Sequence, residues 1–74
     1  MKVIFCDEDG GNELISKELE ELKDILPIIS RKGSEIQVNF SGEDSFWGYV
    51  TGTHLNVSDE EIEFQILLKE NSVD

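Results

Sequence analysis

Asp7, Glu8 and Asp9 close a short apolar run, Val3-Ile4-Phe5-Cys6, and are followed by Gly10 and Gly11. Carboxylates two residues apart in a turn can share a divalent cation, or divide the nucleophile and acid roles of a group transfer. A calcium loop would take Asp7 and Asp9 as its first and third positions and Glu18 as its twelfth. Gly11 and Asn12 then fall where a ligand and the turn glycine are needed, and an apolar strand precedes the loop in place of a helix. No dedicated metal site and no cofactor is predicted. The single cysteine, Cys6, and the single histidine, His54, lack a third group to orient them as a nucleophile pair. Cys6 reads as a small buried apolar residue.

Two other groups of side chains point to binding rather than catalysis. Trp47 and Tyr49 share one face of an aromatic stretch, opposite Phe46, Gly48 and Val50. Aromatics so placed can anchor a protein interface if Phe46 and Val50 point inward, and are core if the reverse holds. The acids gather in three sets: Asp7 to Asp9; Glu13, Glu18, Glu20, Glu21 and Asp24; and Asp59, Glu60, Glu61 and Glu63.

The string Val3 to Gly10 resembles the first motif of the haloacid-dehalogenase-type phosphatases, a hydrophobic strand ending in D-x-D-G. The resemblance implies Asp7 as nucleophile and Asp9 as general acid/base, with Mg²⁺ bridging carboxylate and phosphate. Gly11 stands where that family usually carries Thr, and 74 residues are too few for its doubly wound sheet. A metal-dependent phosphohydrolase using Asp7 and Asp9 is therefore the remote alternative.

The elements that would hold these groups follow from periodicity. Lys2 to Cys6 reads as a strand and the acids and glycines after it as a turn. Asn12 is a suitable N-cap, and Ile15, Leu19, Leu22, Leu26 and Ile29 recur at helical spacing, which predicts an amphipathic helix to about Leu26. Pro27 kinks it, with one more turn to Lys32 and Gly33 as its cap. Ile36, Val38 and Phe40 alternate with polar residues, which is a strand; 41–44 is a hairpin loop. The aromatic strand follows, bent at Gly48 or Gly52, and Asn56 to Glu60 turns. Ser58 and Glu61 fit a helix capping box, but Ile62, Phe64, Ile66 and Leu68 alternate, and a strand is preferred. Residues 71–74 read as a frayed tail.

The order β-α-β-β-β predicts a single α+β domain over 1–74, one amphipathic helix packed on a small antiparallel sheet. In rhythm, residues 33–69 resemble an SH3-like or Sm-like curled sheet. No apolar run approaches the roughly 20 residues of a membrane span, and the patch at Val3 to Cys6 ends in acids, which predicts no leader. With one cysteine, no internal disulfide can form, and a reducing, cytoplasmic setting is expected.

The net charge is −11, from 17 acids against six bases. Such a field disfavours direct contact with nucleic acid or an anionic membrane and favours a basic protein partner. In size and charge the chain is similar to DNA-mimic inhibitors, including some phage anti-restriction and anti-CRISPR proteins. The resulting expectation is a non-enzymatic interaction domain, an inhibitor that mimics nucleic acid on a basic partner. Glu20, Glu21, Asp24, Asp59, Glu60 and Glu61 would supply the charge, and Trp47 and Tyr49 the anchors. The alternative is a housekeeping interaction module or small subunit, acidic only for solubility.

Overall fold

The computed structural model describes residues 1–42 and 44–71. Five strands form one mixed sheet in the order β2-β1-β5-β4-β3: β1 Lys2–Asp7, β2 Glu13–Glu18, β3 Glu35–Asn39, β4 Ser45–Val57 and β5 Ile62–Glu70. All neighbours are antiparallel except β1 and β5, which run parallel with Val3 beside Phe64. The sheet curls into a nearly closed barrel. Two single-turn helices, α1 Leu19–Leu22 and α2 Leu26–Ile29, bridge β2 to β3.

The expected β-α-β-β-β fold, one helix on an antiparallel sheet, is therefore overturned. Where a long helix was predicted, Glu13–Glu18 is a strand. The reason lies in the turn before it. Gly11 adopts φ +69°, its N–H donates to the Asp7 carbonyl, and the Asp7 N–H donates to the Asn12 carbonyl. This tight turn sends the chain straight back along β1, whose open edge offers Glu13–Glu18 a ladder. A lone helix of this length is marginal in water, so the ladder wins. A bulge beside Phe5 and Cys6 leaves Leu14 unpaired, and the consecutive Leu14 and Ile15 both pack on the core. Pro27 falls in the first turn of α2, where its missing N–H costs nothing. Leu19, Leu22, Leu26 and Ile29 still face the core, as helical spacing predicted, but from two separate turns.

The core lies inside the curl. Val3, Phe5, Val38, Phe46, Val50, Ile66 and Leu68 are buried, and Val3, Val50, Ile66 and Leu68 are wholly inaccessible. No polar or charged residue among those described is buried. Ser58 and Glu61, which fitted a helix cap, instead close the β4–β5 turn: the Ser58 N–H and hydroxyl both donate to the Glu61 carbonyl at 2.9 and 3.0 Å. The 41–44 loop is closed by the Phe40 N–H on the Asp44 carbonyl, at 3.1 Å; Glu43 lies outside the described residues. The tail expected over 71–74 lies outside them beyond Asn71.

The two glycines of β4 do different work. Gly52 follows a bulge after Val50, where Thr51 turns its hydroxyl to the Leu67 carbonyl at 3.3 Å. Gly48 is a close approach: a Cβ there would collide with the Lys69 carbonyl oxygen and lie 2.9 Å from the Phe46 ring. Gly48→Ala should therefore cost about 2 kcal/mol or more, a large share of what a domain this small nets. Gly52→Ala meets nothing within 4 Å and should be near neutral. Urea unfolding followed by the fluorescence of Trp47 measures both.

Candidate functional site

The strand directions decide which acids can act together. β1 and β5 run one way and β4 the other, so the β4–β5 turn at Ser58–Glu61 lies beside the start of β1. α1 starts there too, because the Leu19 N–H donates to the Met1 carbonyl at 2.9 Å. Glu18, Met1, Lys2 and the 57–62 segment line one open concavity of about 530 Å³. Acids far apart in sequence thus meet at one end: Glu18 lines the concavity with Asp59, Glu60 and Glu61, and Glu20 and Glu21 follow on α1, with Asp24 in the turn after it. The third set, Asp7 to Asp9, sits at the opposite end of β1. The body is 43 Å long and 26 Å across, so the two ends lie well beyond a Debye length of about 8 Å.

Within the acidic end, three carboxylates already have local partners: Glu18 and Glu21 form a reciprocal capping box, each accepting from the other's backbone N–H, and Glu20 pairs with Lys23. Glu21 accepts a hydrogen bond from the Glu18 N–H at 3.2 Å, closing the first turn of α1. Glu20 stands 3.9 Å from Lys23, the one ion pair among the described residues, with both side chains exposed. Such a pair contributes well under 1 kcal/mol. Asp24, Asp59, Glu60 and Glu61 are exposed.

Trp47 and Tyr49 are not part of this end. Phe46 and Val50 point inward, so Trp47 and Tyr49 lie on the outer face, Trp47 52% exposed and Tyr49 half-buried. Cross-strand pairing sets Tyr49 between Glu35 and Lys69, and Trp47 beside Gln37. About ten residues of strand, roughly 30 Å, separate Trp47 from the acidic turn. The predicted site is therefore two surfaces.

The geometry that metal or nucleophilic chemistry at the remaining residues would require is not assembled among those described. Asp7 accepts a hydrogen bond from the Asp9 N–H at 3.0 Å, an Asx turn within the hairpin. The D-x-D-G string is followed by an antiparallel strand, where the phosphatase resemblance implied a doubly wound sheet. Glu18 pairs with Lys2 at the far end of the β1–β2 hairpin and cannot join Asp7 and Asp9 as a calcium ligand. Among the described residues no three His, Cys, Asp or Glu side chains converge to hold an ion. Cys6 lies on β1 and His54 on β4, with β5 between them and a two-residue offset, about 12 Å apart by sheet geometry. Burial pushes the Cys6 thiol up, and Glu13 and Glu63 add to it.

One surface was missed by the sequence reading. β3 pairs with β4 only from Ser45 to Tyr49, and Gly33 and Ser34 extend that pairing to Val50. From Gly52 to Val57 no strand among the described residues lies along the outer edge of β4. Val57 pairs with Ile62 and Leu55 with Phe64, so one face of this segment carries Leu55, Val57 and Ile62, which are 57, 63 and 42% exposed. The signal was there to be read: Ser45 to Ser58 contains no Asp, Glu, Lys or Arg in a chain that is 31% charged.

No family model, curated protein or solved structure matches the chain. Among the described residues no helix is long and apolar enough to cross a membrane.

The state of Cys6 is open to measurement. The raised thiol stays protonated through neutral pH, while the unfolded chain ionises from about pH 8.5. As pH rises past that value the unfolded state gains, so Cys6 lowers stability above it and has no effect below it. Alkylation by iodoacetamide at pH 8 should be at least about tenfold slower in the native protein than in urea.

Proposed function

We propose that this chain is a non-enzymatic interaction domain that sets its acidic end on a basic, nucleic-acid-binding surface of another protein. The observation that carries the reading is the concavity at one end of the barrel, which Glu18 at the start of α1 lines together with Asp59, Glu60 and Glu61 of the β4–β5 turn; Glu20, Glu21 and Asp24 follow Glu18 along the chain and add to the charge on that side. Carboxylates spread over an end about 26 Å wide present an anionic surface on the scale of a nucleic-acid backbone. With a net charge of −11 and one exposed ion pair among the described residues, most of that charge is left to act outward. Docking of this kind takes its speed from electrostatic steering and weakens steeply with salt.

A second reading has its own support. Trp47 is 52% exposed on the outer face, beside Tyr49, and aromatics of this kind are common interface anchors. In that case the acids serve solubility and the chain is an interaction module that grips through β4.

Affinity capture from the source cell separates the two. Acid-end docking is expected to release its partner with rising salt and with added duplex nucleic acid. It should also fail with Asp24→Lys, Asp59→Lys and Glu60→Lys combined, which spare the Glu21 carboxylate that closes α1. Retention at about 1 M salt, where the Debye length is about 3 Å, would sink it. Capture lost in Trp47→Ala and kept in the charge-reversed chain would establish the second reading instead.

A further inference from the structure

From the free edge of β4 we infer that two copies of this chain pair antiparallel along Gly52 to Val57, joining their sheets across a two-fold axis near His54. Exposed strand edges are ordinarily blunted by charge, proline or a covering loop, because an open row of N–H and C=O groups recruits another strand. The bulge at Thr51 lies at the upper limit of this edge, and below it Gly52-Thr53-His54-Leu55-Asn56-Val57 carries no Asp, Glu, Lys, Arg or Pro. Elsewhere the chain is strongly acidic, so a second copy is repelled from most of the surface. Here no carboxylate opposes another.

The occupant is named by charge complementarity. A two-fold axis at His54 sets Leu55 against Thr53 of the second copy, and Val57 against its Thr51. The partner strand then fills the lane that β3 vacates, running in the same direction as β3. Its end, and the Ser58–Glu61 turn beyond it, arrive at the residues that precede β3. Those residues are Arg31 and Lys32, both exposed, immediately before the Gly33 N–H that donates to the Val50 carbonyl at 2.7 Å. The only two adjacent bases in the chain thus stand where Asp59, Glu60 and Glu61 of the second copy must come, and symmetry makes the contact twice. The same axis keeps like faces together, so Leu55 and Val57 of each copy extend one apolar strip.

Sedimentation velocity across a concentration series tests this on the intact chain. The expected result is a reversible species of twice the 8.4 kDa chain mass, with amide exchange of Gly52 to Val57 slowing as concentration rises. Leu55→Lys with Val57→Lys, both at exposed positions, should weaken association at least about tenfold without loss of the fold by circular dichroism. Arg31→Glu with Lys32→Glu should also weaken it, and adding Asp59→Lys and Glu60→Lys to the same chain should restore it. A chain that stays monomeric at high micromolar concentration overturns the proposal. A dimer indifferent to the edge lysines, or to the charge swap, overturns this arrangement as well.

Discussion

The fold depends on β5 being paired on both of its edges. It holds β4 antiparallel along nine pairs from Gly48 to Val57 and β1 parallel along six from Lys2 to Asp7. Without it the chain is two separate hairpins, β1–β2 and β3–β4, and an isolated two-stranded hairpin is at best marginally stable. Ile66 and Leu68, both wholly buried, stand at the centre of the core that this double pairing encloses. Because β1 and β5 come from opposite ends of the chain, the contact that completes the sheet is also the least local. Non-local strand pairing must meet its loop-closure cost before it gains anything, which makes for slow folding. The same contact brings Met1, α1 and the Ser58–Glu61 turn to one end, so the acidic surface is a product of the closing step.

Much of the inward face was legible in the sequence, and the conformation only in part. Strict alternation at Ile36, Val38 and Phe40, and at Ile62 through Leu68, needs no tertiary information to read as strand. The failure lies between Glu13 and Ile29. A strand with a bulge, followed by two single helical turns, places Ile15, Leu19, Leu22, Leu26 and Ile29 inward at the intervals a helix would use. Helical period thus marked the right residues for the wrong reason. What decides for strand is the open edge of β1, which a local pattern cannot see. The site was less legible still. That Phe46 and Val50 face inward, leaving Trp47 outside, follows from the pairing of Phe46 with Val38 and of Val50 with Leu68. The meeting of two acid sets follows from the parallel register of β1 on β5.

Charge and fold are nearly independent in this molecule. No ionisable residue among those described, apart from the Cys6 thiol, is buried, and the one ion pair is exposed and loose at 3.9 Å. The fold is carried by apolar burial and by strand ladders. The acidic surface adds self-repulsion, which works against the compact state. A small domain with a thin margin of stability tolerates that repulsion more easily if the acids are dispersed, and the set at Asp7 to Asp9 is indeed at the far end from Asp59 to Glu61. Glu18 shares the concavity with the second set all the same, while the Glu21 carboxylate turns back to close α1 and Glu20 stands beside Lys23.

The uncharged edge and the acidic turn belong to the same hairpin, and that sets a limit on what each can do at once. Ser58–Glu61 caps both the free edge of β4 and the concavity at the acidic end. Pairing of two copies along Gly52 to Val57 would place Asp59 to Glu61 against Arg31 and Lys32, while Glu20, Glu21 and Asp24 stay outward. A basic partner would then meet only half of the carboxylates that a single copy presents. Self-association and acid-end docking therefore draw on one turn, and a chain that does both must do them in competition. Since the electrostatic part of each contact weakens with salt, while edge hydrogen bonds and the Leu55–Val57 strip do not, higher ionic strength favours the paired form over the docked one.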